Sequence, residues 1–212
     1  MPMDKETYLS DPCGASSLAF WKTNSIPIPD DLLILRENDP RLAAARLQYA
    51  DTPYFKLIHP MIHIVRPTLP EGFRFIGPNA EAISDHITSC YAQEGLSPSQ
   101  LEEYRFHPTY SPDLWLAIEC EETGEIVASG IAELDTSIRE GILEWIQVSP
   151  QHRRAGWGRR IVCELLSLMQ DRAHFVTVSG KQDDSSDPRA LYESCGFGGG
   201  VIWHILTRSE LS

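Results

Sequence analysis

The stretch "VSPQHRRAGWGRRIV", Val148 to Val162, decides the fold. It holds two glycines two positions apart, Gly156 and Gly158. It also holds four arginines, Arg153, Arg154, Arg159 and Arg160, and no acidic residue. The chain around it is acidic, with a formal charge of −12. Before the turn runs "GILEWIQV", Gly141–Val148, apolar except at Glu144 and Gln147, which reads as a strand inside a sheet. After it runs "IVCELLSLMQDRA", in which Ile161, Leu165 and Leu168, with Val162, Leu166 and Met169, recur at helical spacing. A strand, a short turn and an amphipathic helix set backbone N–H groups at a helix N-terminus, where anions bind, phosphates above all. Glycines let a ligand approach the backbone closely. Arginines add charge-assisted hydrogen bonds that suit phosphate oxygens. The same residues also suit a tight turn with solvated arginines, so context decides. The turn is neither a Walker loop, lacking Gly-Lys-Ser/Thr, nor a Gly-x-Gly-x-x-Gly fingerprint, since position 161 is Ile.

Outward from the turn the pattern is regular. "HFVTVSG" reads as a strand and "VIWHILTR" as a closing strand. Between them "DPRALYESCGF" reads as a short helix with Asp187 as N-cap, Pro188 at its first position and Gly196 as its stop. Toward the N-terminus, "DLWLAIECEETGEIVASGIAEL" reads as two strands joined across Glu122-Thr123-Gly124. "SPSQLEEYRF" carries a capping signature, Ser97 with Gln100. "NAEAISDHITSCYAQEG" reads as a helix capped by Asn79, striped by Ile83, Ile87, Cys90 and Tyr91, and stopped by Gly95. "GFRFIG" reads as a strand. Earlier still, Leu32 to Leu35 suits a strand, and "DPRLAAARLQYA" a helix with Asp39 as N-cap and Pro40 in its first turn. "YFKLIHPMIHIVRP" offers two short strands either side of Pro60. The order from residue 67 is strand, helices, three strands, helix, strand, helix, strand. That predicts an α/β fold, an α+β mixed sheet with flanking helices. It divides the chain into residues 67–212, one domain, and residues 1–66, an N-terminal extension or small subdomain.

Composition narrows the function. The 212 residues are 42% hydrophobic, enough for a real core. The acidic balance argues against nucleic-acid binding and is compatible with a cationic substrate. The N-terminus "MPMDKETYLSDP" has no apolar signal region, and no apolar run approaches the ~20 residues of a membrane span. Five scattered cysteines without a Cys-x-x-Cys pair indicate free thiols in a cytoplasmic protein, neither a disulfide framework nor a zinc site. His59 and His63 are four apart, but Pro60 between them removes a helical metal face. No metal is expected.

The turn with Val148 and Pro150 before it, followed by "ALYESCGF", resembles the acyl-CoA signature of the GNAT superfamily of N-acetyltransferases. The family's Arg/Gln-x-x-Gly-x-Gly/Ala is matched by Arg153, Gly156 and Gly158. The resemblance covers the last two-thirds of the chain and implies a GNAT-like central mixed sheet. It implies that Arg153, Arg154, Ala155, Gly156, Trp157, Gly158 and Arg159 cradle the pyrophosphate of acetyl-CoA. It also implies that the main chain of Ile146, Gln147 and Val148 pairs with the pantetheine arm, and that an amine attacks the acetyl group directly. The family's Asn ahead of the Leu-Tyr helix has no counterpart in "DDSSDPRA".

Acetyl transfer moves two protons. Tyr192 matches the family's usual donor to the leaving thiolate; a packing tyrosine is the alternative. Glu144 is the candidate general base. It is the one acid inside "ILEWIQV", and period-two alternation sets it on one face with Ile142, Ile146 and Val148. A Glu paired with an Arg, or a base acting through water, stays open. Cys163 and Cys195 suit buried thiols better than acyl carriers. The expected activity is therefore N-acetyl transfer from acetyl-CoA to a small-molecule or peptide amine. An acyl-CoA-binding sensor or interaction module on the same fold is the alternative. Phe20-Trp21 suits core packing better than an acceptor wall. Monomer and homodimer both fit.

Overall fold

The computed structural model describes residues 3–91, 95–184 and 186–208. In chain order the elements are helices α1 (Lys5–Ser10), α2 (Pro12–Ala15) and α3 (Phe20–Ser25), strand β1 (Leu32–Arg36), helix α4 (Leu42–Ala45) and strands β2 (Tyr49–His59) and β3 (Phe73–Ile76). Helices α5 (Ala80–Cys90) and α6 (Pro98–Glu103) follow, then strands β4 (Trp115–Cys120), β5 (Ile126–Asp135) and β6 (Glu140–Val148). The chain continues through α7 (Trp157–Met169), β7 (Phe175–Lys181), α8 (Pro188–Ser194) and β8 (Gly198–Arg208). It is a mixed α/β protein, in the order the sequence implies. By its contacts it forms two compact units, residues 1–59 with 177–212, and residues 60–176.

In the first unit the strand order is β1-β8-β2-β7. Strand β8 pairs antiparallel with both β1 and β2, tying the N-terminal segment to the last strand. Asp4 caps α1 through Thr7 N–H, and Asp11 caps α2 through Gly14 N–H. Lys56 on β2 is buried, and its Nζ donates to Leu18 O (2.8 Å), Ser16 O (3.0 Å) and the Tyr8 hydroxyl (3.2 Å). A buried ammonium needs such acceptors, and here they clamp the first helices onto β2. Phe20 packs at a tilt against Tyr8 at 5.3 Å and Trp21 is buried, so this aromatic pair belongs to the unit's packing.

Two expectations for this segment fail locally. Helix α4 is a single turn with Arg41 at its N-cap position. Asp39 instead accepts from Arg41 N–H in a turn before it. From Pro60 to Pro70 no strand forms. Met61 and His63 take positive φ (56° and 54°), which breaks the extended backbone, and Ile62 and Val65 stay exposed.

In the second unit the order is β6-β5-β4-β3, each neighbouring pair antiparallel. One face of β5 carries Ile131, packed with Ala80, Ile83 and Ile87 of α5, Leu101 of α6, and Trp115. The other face meets α7, whose Ile161, Val162, Leu165, Leu166 and Met169 are buried as their spacing predicts. Contact there is close. A Cβ at Gly130 would come within 2.7 Å of both Ile146 Cδ1 and Ile161 Cγ2. Gly130→Val is therefore expected to cost about 2 kcal/mol or more by overpacking. Thermal unfolding reads this, and an unchanged melting temperature would refute the close approach.

The expected caps of α5, α6 and α8 form. Ser97 and Gln100 form the capping box of α6, Asn79 caps α5, and Asp187 caps α8. Helix α5, however, ends at Cys90, before Gly95, because Tyr91 turns extended (φ −124°, ψ 124°).

Candidate active site

The turn before α7 is built on left-handed backbone. Gly156 has φ 79°, ψ 13° and stands at the N-cap position, and Arg154 also has positive φ (66°). The first bond within the helix runs from Arg160 N–H to Gly156 O (3.2 Å). The N–H groups of Trp157 and Gly158 precede it and have no partner within the helix, so they and the helix dipole face the turn. A Cβ at Gly156 would come within 2.9 Å of Arg160 Nη1, on top of the strain of its φ. The geometry fits a bound phosphate group.

The arginines divide their work. Arg153 points back: its Nη2 donates to Cys90 O (3.2 Å), closing the C-terminus of α5, and its Nε to Val148 O (3.4 Å). Arg160 spans the turn, donating to Ala155 O (3.1 Å) and Thr68 O (3.2 Å) and lying over the Trp157 ring. Arg154 and Arg159 are exposed, as is Ala155. Trp157 turns its ring inward against Phe73 (4.5 Å), so only its backbone faces the turn.

Strand β6 does not keep period two. Ser129 faces Gln147, but Ile131 faces Glu144, so β6 carries one residue more than β5 across this span. This is a β-bulge, and Trp145 in it has φ 37°. The bulge corrects the expected face of Glu144. Glu144 shares a face with Ile142, Ile131 and Ser129, toward α5 and α6, while Ile146 and Val148 fall on the α7 face. Glu144 is half-buried on that face. Trp145 packs beside it, with Nε1 donating to the Tyr104 hydroxyl (3.2 Å). The Ile146 carbonyl accepts from the Tyr91 hydroxyl (3.3 Å).

Sequence reading missed the polar core beneath the bulge. The Gln147 side chain is buried and its Nε2 donates to Ser129 Oγ. His86, on α5 and 6% exposed, bridges Ser129 Oγ (2.8 Å, Nδ1) and Ser149 Oγ (2.9 Å, Nε2). Ser149 Oγ gives its own proton to Ile126 O (2.9 Å), so it accepts from His86 Nε2–H. His86 Nδ1 then accepts from Ser129 Oγ–H, and every proton in the row has a direction. Burial pushes the His86 pKa down to about 4, which keeps the ring neutral. The one signal in the sequence was a histidine on the apolar side of an amphipathic helix.

Tyr192 lies in the first unit, on α8, 6% exposed, with its ring against Phe197 (5.7 Å) and Phe55 (6.1 Å). Cys163 and Cys195 are half-buried thiols. Among the described residues no group of three or more His, Cys, Asp or Glu could hold a metal ion, and no helix is long and apolar enough to cross a membrane.

Residues 112–198 match the family model of the acetyltransferase (GNAT) domain. No curated protein sequence matches the chain. Among solved structures, a GCN5-related N-acetyltransferase from Sphaerobacter thermophilus superposes with a TM-score of 0.67 at 15% identity, over 85% of this chain and 61% of that one. A GCN5-related N-acetyltransferase from Kribbella flavida gives 0.53 at 19% identity, over 84% and 68%. A GNAT-family acetyltransferase from Colwellia psychrerythraea gives 0.53 at 14%, over 82% and 64%. At these identities the likeness establishes the fold. The chain spans under two-thirds of the Sphaerobacter and Colwellia proteins.

Proposed function

We propose, for a chain whose residues 112–198 match the GNAT acetyltransferase domain model, that it transfers an acetyl group from acetyl-CoA to the primary amine of a small molecule or peptide, by direct attack in a ternary complex. The observation that carries this reading is the glycine-capped N-terminus of α7, set directly after a bulged strand. Acetyl-CoA supplies the activated thioester. The backbone N–H groups of Trp157 and Gly158, with Arg154 and Arg159, hold its phosphates. The main chain of Ile146, Gln147 and Val148 guides its pantetheine arm. Arg153 supports the turn from behind by holding α5 and β6 together. Tyr192 returns a proton to the leaving thiolate. Glu144 meets the amine on the α5–α6 face, where a carboxylate stabilises an ammonium. The free thiols suit a reducing, cytoplasmic setting.

The test is thiol release from acetyl-CoA against a broad amine panel. Turnover with at least one amine, inhibited by CoA and not by ATP or NAD, is the expected result. Acetyl-CoA binding without turnover on any amine would instead favour a sensor. Glu144→Gln is expected to raise the KM of the amine about 10-fold while leaving acetyl-CoA affinity within two-fold. An unchanged amine KM would remove Glu144 from the site.

A further inference from the structure

The α5–α6 face of β5 and β6 holds a carboxylate–imidazole pair that the reading above leaves unused. The Glu133 side chain, on β5, is 2% exposed, and its Oε1 lies 2.9 Å from Nδ1 of His107, whose side chain is 27% exposed. A buried carboxylate demands a partner, and a histidine that gives Nδ1–H to it carries its lone pair on Nε2. The pair is rigidly set. His107 N–H bonds Tyr104 O (3.1 Å), its carbonyl accepts from Tyr110 N–H (3.1 Å), and Thr109 O accepts from Leu134 N–H on β5 (2.8 Å). The imidazole packs at a tilt against Tyr104 at 4.8 Å, and the Tyr104 hydroxyl accepts from Trp145, the bulge residue. The ring is thus one side chain away from the bulge.

Register puts the acids in relation. Glu133 faces Ile142 and Glu144 faces Ile131, so the two residues are diagonal neighbours on one face, with backbone positions roughly 7–8 Å apart. Asp135, two residues along β5, and Glu140 opposite it continue this acidic face. From its own segment His107 meets Tyr104, with Arg105 beside it paired to Glu102.

We propose that His107, oriented by Glu133, takes the proton of the attacking amine while Glu144 holds the ammonium. This rests on the acetyl-transfer reading and assigns its missing step. R–NH3+ gives a proton to His107 Nε2, and the resulting imidazolium is stabilised by the Glu133 carboxylate. The nitrogen lone pair forms the C–N bond as the C–S bond breaks, and the thiolate takes the Tyr192 proton. The cationic amide nitrogen gives up its second proton through solvent to the Tyr192 phenolate, and His107 releases the first to solvent. Imidazole suits this task because its ordinary titration falls near neutral pH, where a general base works best. An unassisted carboxylate, with an ordinary pKa of about 4.3, is a poor acceptor there.

The test is kcat and KM against pH for the parent, His107→Asn, Glu133→Gln and Glu144→Gln on an amine found by the panel. His107→Asn keeps a side-chain N–H for Glu133 and loses the Nε2 lone pair. It is expected to lower kcat about 30-fold or more and to abolish the acid limb of the profile, with acetyl-CoA affinity within two-fold. Glu133→Gln lowers kcat and keeps the amine KM within two-fold, because the ring loses the acceptor that orients its Nδ1–H. Glu144→Gln raises the amine KM and keeps the limb. A His107→Asn protein with the parental kcat and limb overturns the proposal and leaves acetyl transfer standing. If that variant does not fold, a parental kcat in Glu133→Gln overturns it equally. A parent that binds acetyl-CoA and turns over no amine overturns both readings.

Discussion

Tyr192→Phe is expected to lower kcat about 10²- to 10³-fold while leaving acetyl-CoA affinity within two-fold. The substitution is clean because the Tyr192 ring is buried against Phe55 and Phe197. Phenylalanine keeps that packing and removes only the oxygen and its proton. The lost rate therefore reports the hydroxyl, and a thermal melt of the variant checks that the fold is kept. A phenol, with an ordinary pKa near 10, holds its proton at neutral pH until a thiolate demands it. The effect should shrink with an acyl donor whose leaving thiol is more acidic, since that thiolate needs less help. Steady-state kinetics on both donors decides the matter, and an unchanged kcat returns Tyr192 to a packing role.

The second large effect is on stability. Burial holds His86 neutral, with a pKa of about 4 against an ordinary value of 6.5. The sign follows from linkage. Between those values the unfolded chain binds a proton that the folded chain refuses, so stability present above pH 6.5 is lost as pH falls toward 4. The loss is of order 2–3 kcal/mol. His86→Gln cannot titrate, so its stability should lack this component, although it starts lower at pH 7 because the serine row is broken. Urea unfolding of both proteins across the range reads the difference. Parallel curves would show that His86 titrates as freely folded as unfolded.

How much of this the sequence disclosed follows the range of the interactions. Helix α7, the β4–β5 hairpin and the caps at Asn79, Ser97 and Asp187 depend on neighbours within a few residues, and spacing reveals them. The bulge in β6 does not. It is an extra residue counted against a partner strand, and "ILEWIQV" contains no glycine or proline to mark it. Yet it sends Ile146 and Val148 to the face opposite Glu144. The end of α5 is hidden for a related reason. Its last carbonyl is served by Arg153, 63 residues away, so the helix does not run on to Gly95. The pairs His86–Ser149 and His107–Glu133 likewise join residues that only the folded sheet brings together. The glycine turn was legible because its geometry is local, whereas the faces on which Glu144 and Glu133 lie are set by register.

The place of β8 between β1 and β2 has a consequence for synthesis on the ribosome. Among the described residues β1 has no neighbouring strand except β8, and β8 begins at Gly198. At ~5–20 residues per second, the ribosome needs roughly 10–30 seconds after finishing β1 before its partner emerges. Throughout that interval the nascent chain carries an unsatisfied strand edge, the kind of surface that holdase chaperones retain and that neighbouring polysomes can mispair. Slower translation ahead of Gly198 would lengthen the exposure without altering a single contact of the finished protein.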